Sequence, residues 1–213
     1  NAPVAEFTES DGSTVREAIG APDAPLLVYH GNLAKERGVF TLVEAMAYLD
    51  QAVHLVFVSP PTHPLAAELL DRAKQIGVDT RVHFHGFVAS ATLHRFLSGA
   101  DLAVIPYERT PNTDIALPNK LFEAMLLGKP IVVAEGTNMD RIVNECDCGL
   151  VVPYGSLADL ERALCTLHEQ PELRRRMGDN ARRAYEKTYN WQAMQARLLK
   201  LYAGLFERRW EFP

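Results

Sequence analysis

The stretch His54-Leu55-Val56-Phe57-Val58-Ser59 holds four consecutive large apolar residues with no polar alternation. A strand with one wet face alternates, whereas a run apolar at every position is buried on both faces, as in a parallel sheet covered by crossover helices. Ile131-Val132-Val133 repeats the pattern. Working outward, β-branched and aromatic runs recur at Leu26 to His30, Val82 to His85, Leu102 to Ile105 and Leu150 to Val152, so six strands are expected. Amphipathic periods between them predict helices over 39–49, 64–76, 90–98, 118–127, 139–146 and 156–168. Strict alternation of strand and helix predicts an α/β fold with a doubly wound parallel sheet. Ser156 is the expected N-cap of its helix, Pro118 suits a first turn, and Gly77 and Gly128 suit left-handed C-caps.

After Leu167 the strands stop, and two helices are expected over 172–188 and 191–209, with Asn190 capping the second. Residues 1–24 are rich in Gly, Pro, Ser and acids and predict a linker rather than a packed element. The expected organisation is a lead-in over 1–25, an α/β body over 26–170 and closing helices over 171–213. Whether Asn1-Ala2-Pro3 is native linker or an appended sequence stays open.

At 213 residues and 47% hydrophobic, with 13 Gly and 13 Pro, the chain can bury a sizeable core. This excludes disordered, collagenous and disulfide-scaffold classes. Its 22 Lys and Arg against 27 Asp and Glu, a net charge of −5, argue against a dedicated nucleic-acid binder. No run of about 18 apolar residues suggests a membrane span. The charge is uneven: residues 171–213 carry ten basic against five acidic side chains. Such a tail suits a solvated helix face, or an anionic lipid or acidic partner. Cys146, Cys148 and Cys165 are odd in number and lack CxxC spacing, and no signal segment opens the chain. A reducing, cytoplasmic setting is expected, with the thiols structural. Metal binding by Cys146 and Cys148, or by His83 and His85 alternating on one strand, is a minor alternative.

In a doubly wound sheet, ligands bind beyond the carboxyl ends of the strands. The segment Gly31-Asn32-Leu33-Ala34-Lys35-Glu36-Arg37-Gly38 follows the first strand and opens a helix. Its glycines permit close backbone approach, and Lys35 or Arg37 offers charge to a phosphate. It has neither the GxGxxG nor the P-loop pattern, so an ordinary strand-to-helix turn is an equal reading. The loop after the fourth strand runs some twelve residues from Pro106, and loops that long in compact domains tend to be functional. It ends in Leu117-Pro118-Asn119-Lys120, which places backbone amides, Asn119 and Lys120 at a helix N-terminus with Glu123 one turn on. A diphosphate on the amides and a ribose diol on the carboxylate is chemically coherent.

Gly31 to Gly38, His85-Gly86-Phe87, Ala100-Asp101-Leu102 and, above all, the run from Leu117-Pro118-Asn119-Lys120-Leu121-Phe122-Glu123-Ala124-Met125 to Gly128-Lys129-Pro130-Ile131-Val132 resemble the C-terminal half of group 1 (family 4) GT-B glycosyltransferases. Gly149-Leu150-Val151-Val152-Pro153 and Tyr189-Asn190-Trp191 fit the same pattern, so the resemblance spans roughly residues 25–205. It implies a Rossmann-like domain that binds a nucleoside-diphosphate sugar, one half of an enzyme that transfers the sugar to an acceptor with retention. It further implies ribose binding by Glu123 and diphosphate binding by Arg37, by Lys120 and by amides around Leu117, Pro118 and Asn119. The base would lie at His85-Gly86-Phe87-Val88. No metal or other cofactor is expected, and no residue is nominated as a catalytic base.

Two departures qualify the resemblance. The family's other glutamate, which contacts the donor sugar, falls on Ile115, with Asp114 adjacent as a substitute; a common loop arginine falls on Asn32. An N-terminal acceptor-binding domain is not found before Leu26, which suggests a fragment inactive alone, whose last helix would cross to that domain. The full-length enzyme is expected in the cytoplasm, with peripheral association at the inner membrane face as a further expectation. The alternatives are a nucleotide-sugar epimerase or phosphorylase of similar architecture, and a nucleotide-binding module without turnover.

Overall fold

A computed structural model describes residues 13–207. Strands β1 (Leu26–His30), β2 (His54–Val58), β3 (Val82–His85), β4 (Leu102–Ile105), β5 (Ile131–Ala134) and β6 (Gly149–Val152) form one sheet in the order β3-β2-β1-β4-β5-β6. Every pairing is parallel. The helices are α1 (Val15–Ala18), α2 (Val39–Ala45), α3 (Pro64–Gln75), α4 (Ser90–Ser98), α5 (Pro111–Asp114), α6 (Asn119–Leu126), α7 (Asn138–Cys146), α8 (Leu157–Glu169), α9 (Pro171–Ala184) and α10 (Trp191–Glu207). The doubly wound α/β architecture expected from the alternation is the one observed.

Both faces of the sheet are dry, which is why the strands read as unbroken apolar runs. Leu27, Tyr29, Leu55, Phe57, Leu102 and Val132 point into a cluster with Val39 and Leu42 of α2, Leu69 of α3 and Leu160 and Leu164 of α8. On the opposite face Leu26, Val28, Val56 and Val58 meet Phe96 and Leu97 of α4. Further along that face Ile105, Ile131 and Val133 pack on Leu121 and Met125 of α6 and Ile142 and Val143 of α7. Burying residues of this size stabilises a fold by about 1.5–3 kcal/mol each.

The predicted caps appear in the structure. Ser156 Oγ accepts the Asp159 amide at 3.3 Å, and Gly77 and Gly128 adopt φ of 74° and 62°. Pro118 is the N-cap of α6 rather than its first residue. The helix after β1 is shorter than its period suggested: Met46, Ala47 and Tyr48 amides each reach back three residues instead of four, so α2 tightens and ends. The tail is two helices broken as expected. A five-residue π turn (Tyr185–Tyr189) ends the first, and Asn190 spans the break. Its Nδ2 donates to the Tyr185 and Glu186 carbonyls at 3.0 and 2.7 Å, and its Oδ1 accepts the Ala193 amide at 2.8 Å.

The lead-in differs from expectation. Thr14 and Glu17 form a capping box that starts α1, and Val15 is fully buried against α4 and the sheet. Arg16 pairs with Asp101 at 2.5 Å, and the same carboxylate accepts the Leu26 amide at 2.7 Å. A single helical turn is too short to show a period, so packing decided it. Residues 1–12 and 208–213, which include Asn1-Ala2-Pro3 and the end of the helix expected over 191–209, lie outside the described residues.

Candidate functional site

The strand order reverses between β1 and β4, and the crevice at such a switch point is where this architecture takes ligands. Two loops meet over it. Gly38, at φ 67°, is fastened to the loop after β4: a Cβ built there would lie 1.8 Å from the Pro106 carbonyl oxygen. Only glycine allows both the left-handed backbone and that approach. The Glu108 amide donates to the Glu36 carbonyl at 2.8 Å, and the Arg37 guanidinium sits 5.7 Å from the Tyr107 ring centroid.

Lys120 stands at the centre of this meeting point. The residue is 6% exposed, and its Nζ has no hydrogen-bond partner. The ammonium lies 3.7 Å above the Tyr29 ring centroid and 5.5 Å from that of Tyr107, directly beneath Gly31. Ring faces compensate a buried cation only in part. Burial, reinforced by the charge of Arg37 and opposed by Glu123, pushes the Lys120 amine down to about 7. The N-terminus of α6 carries no side-chain cap, so its first amides remain open to an anion.

One turn along α6, the Glu123 Oε2 lies 2.5 Å from the Nε2 of His30, the last residue of β1. Burial disfavours the Glu123 charge, but the hydrogen bond from His30 and the charges of His30, His94 and Lys120 prevail and hold the carboxyl below its usual range. An ionised carboxylate can only accept, so His30 carries its proton on Nε2 in this pair. Burial lowers the His94 imidazole, and His30 adds to the effect while Glu123 opposes it.

Beside His30 opens a cleft of about 370 Å³, lined by Gly31, Asn32, Ser59, His63, Phe87 and Val88 among others. Of the residues singled out in the sequence, Gly31, Asn32, Phe87 and Val88 thus share one hollow that His30 joins to Glu123. Arg37 donates to the Asn32 carbonyl at 3.3 Å. Lys35 is turned to Glu68 of α3 at 3.4 Å and is exposed. His85 packs against Phe96 in a tilted ring pair with 4.5 Å between centroids, beside Gly86, whose carbonyl lies 3.3 Å from the same imidazole. Leu117 and Pro118 are half-buried and Asn119 is exposed at the mouth of α6.

The second loop is more ordered than a sequence of turn residues implies. Thr110 and Thr113 close a capping box around α5, and Thr113 Oγ1 also donates to the Glu108 carbonyl at 2.5 Å. Asp114 accepts the Tyr154 hydroxyl at 2.9 Å and faces Arg109 at 3.5 Å, while Ile115 is 72% exposed.

His83 is engaged by His54, ring nitrogen to ring nitrogen at 2.8 Å. Among the described residues no group of three or more His, Cys, Asp or Glu could hold a metal ion. Among the same residues no helix is long and apolar enough to cross a membrane. The residues that sequence reading missed are His30, Ser59, His63 and His94. His30 ends a strand and Ser59 follows one, so the carboxyl-end rule could have found both; His63 precedes Pro64 and so occupied a readable N-cap position.

A parallel six-stranded sheet covered by helices on both faces, its order reversing between β1 and β4, defines a Rossmann-like α/β domain. The family model described as glycosyl transferases group 1 matches residues 24–170, so the chain belongs to the group 1 glycosyltransferases. It is 28% identical over 198 residues to the alpha-D-kanosaminyltransferase of Streptomyces kanamyceticus, covering 92% of this chain and 50% of that protein. It is 30% identical over 201 residues to the MMP alpha-(1->4)-mannosyltransferase of Mycolicibacterium hassiacum, covering 90% and 43%. Among solved structures, the sucrose-phosphate synthase of Thermosynechococcus elongatus superposes with a TM-score of 0.78 at 26% identity, over 97% of this chain and 50% of that one. Anabaena HepE in complex with UDP gives a TM-score of 0.82 at 19% identity, over 96% and 56%, a likeness of fold. The chain spans about half the length of the curated relatives it matches.

Proposed function

We propose that this chain is the donor-binding half of a glycosyltransferase, holding a nucleoside-diphosphate sugar while a separate domain presents the acceptor across a cleft. The observation that carries the reading is Lys120: a buried, unpartnered cation beside an uncapped helix N-terminus is a site completed by an anion. In this reading the diphosphate lies on the backbone amides of Asn119 and Lys120 with Arg37 and Lys120 supplying charge. Glu123, oriented by His30, accepts the ribose hydroxyls through its other oxygen. The base occupies the cleft bounded by Phe87 and Val88, and Asp114 stands nearest the position where the family's sugar-contacting glutamate is replaced by Ile115. Stabilising the departing diphosphate by fixed dipoles and cations is electrostatic catalysis. Retention of configuration and a cytoplasmic setting follow from the family likeness, and no metal enters the scheme.

Anabaena HepE, whose fold is alike, was crystallised with UDP and with UDP-glucose, which supports a nucleotide at this switch point. Titration calorimetry with UDP, GDP and ADP tests the reading: one or more should bind, Glu123→Ala should weaken that binding, and Arg37→Ala should weaken it with a shallower salt dependence. Failure of all three nucleotides overturns the donor site. Epimerised donor in place of transfer would favour the epimerase alternative, and binding without transfer by the full-length protein would favour a non-catalytic module.

A further inference from the structure

Two side chains on the cleft are left without a role by the reading above. Ser59, immediately after β2, is 3% exposed, and its Oγ lies buried with no hydrogen-bond partner. It is one of two such side-chain atoms among the described residues, the other being the Lys120 ammonium. Leaving a hydroxyl buried and unsatisfied costs stability, and native structures keep such groups where a ligand or water completes them. His63 caps α3, its Nδ1 accepting the Leu65 amide at 3.2 Å. A ring nitrogen that accepts carries no proton, so the proton of the neutral imidazole sits on Nε2 and His63 has a donor to offer the cleft. Phe87, 84% exposed, supplies an uncovered aromatic face on the same hollow.

We propose that Ser59 and His63 form the polar edge that reads the nucleobase, and that they select a base presenting a carbonyl oxygen, uracil or guanine, over adenine. The inference rests on the donor-site reading and assigns its specificity. The flat base stacks against Phe87, as aromatic faces receive bases in general. Opposite the His63 Nε2 donor a keto oxygen accepts, whereas adenine carries its exocyclic amine, a donor, at that ring position and would have to be displaced to offer a ring nitrogen instead. The Ser59 hydroxyl both donates and accepts, and completes the pairing from the floor. A site built to hydrogen-bond its ligand rejects an analogue that leaves those groups unpaired.

The test titrates the full chain with UDP, GDP, ADP and inorganic pyrophosphate, in the wild type, Ser59→Ala and His63→Asn. Asparagine keeps the N-cap acceptor but does not extend a donor as far as Nε2. ADP should bind the wild type at least about tenfold more weakly than the better of UDP and GDP. Each variant should weaken that better ligand about fivefold to tenfold and leave pyrophosphate within about twofold. Ser59→Ala should not lower Tm, because it removes an unsatisfied hydroxyl, and this separates a reading role from a structural one. The proposal is overturned if ADP binds tightest, if both variants bind UDP and GDP as the wild type does, or if pyrophosphate is weakened equally. If wild type binds pyrophosphate but no nucleotide, base reading is overturned and an anion site stands. If it binds none of the four, the donor site itself is refuted and this inference with it.

Discussion

His30 Nε2 lies 2.5 Å from Glu123 Oε2, tying the carboxyl end of β1 to the second turn of α6 across the point where strand order reverses. The contact joins residues 93 apart in sequence. It also decides which way a partly buried carboxylate titrates, since burial alone would raise it.

Removing the imidazole should therefore be felt at Glu123. In His30→Ala the Glu123 carboxyl should titrate at higher pH than in the wild type, and stability at neutral pH should fall by about 1–3 kcal/mol. A carboxyl held low contributes stability above the ordinary carboxylate range and loses it as pH falls through the lowered value. The gap between the two proteins should thus close on acidification. NMR-monitored titration and denaturant unfolding at several pH values check both, and an unmoved Glu123 would show that the hydrogen bond does not set its charge.

Lys120 predicts a slope of the same sign in a higher pH window. Its amine is held near 7, well under the unfolded value, so the unfolded chain binds the extra proton between those two limits. Stability should rise with pH from about 7 toward the ordinary lysine range, and the cost of burying the charge is fully present below that window. Lys120→Met should be more stable than the wild type at pH 7 by about 1–3 kcal/mol, with the slope removed. The same variant should bind diphosphate more weakly. A variant less stable at neutral pH would mean that the ring contact with Tyr29 outweighs desolvation.

At Gly38, strain and space act together. Gly38→Ala places a methyl group against the Pro106 carbonyl at a backbone angle that alanine resists. The expected loss is about 2–4 kcal/mol, with the loops after β1 and β4 separating over the crevice. Thermal unfolding measures the first and nucleotide affinity the second; wild-type values for both would show that the loops are not fastened there.

The turn before the sheet should behave as part of the core. Val15→Ala is expected to cost about 1–2 kcal/mol by emptying space against α4, and Asp101→Asn should weaken the hold on both Arg16 and the Leu26 amide. Chemical denaturation is the measurement. Unchanged midpoints in both variants would return residues 13–24 to the status of a tether.

What the sequence determined by itself is the alternation and its consequence. Unbroken apolar runs such as Leu55 to Val58 admit only a sheet covered on both faces, and residue chemistry at Ser156, Gly128 and Asn190 marks where helices begin and end. Those are local properties, carried by spacing of a few residues. The lead-in helix escaped because one turn has no period, and Val15 is apolar for a neighbour some eighty residues away. The site was legible only as separate segments: Glu123 and Lys120 could be placed on a helix start, but not the imidazole that fixes one or the tyrosine rings that enclose the other. The tertiary structure decided that Lys35 turns to Glu68, that Asp114 is engaged by Tyr154, and that Ser59 lies unpaired on the cleft. Burial and partnership depend on how the ends of different strands meet, and a polar residue after a strand reads the same in sequence whether it faces water, an ion pair or an empty hollow.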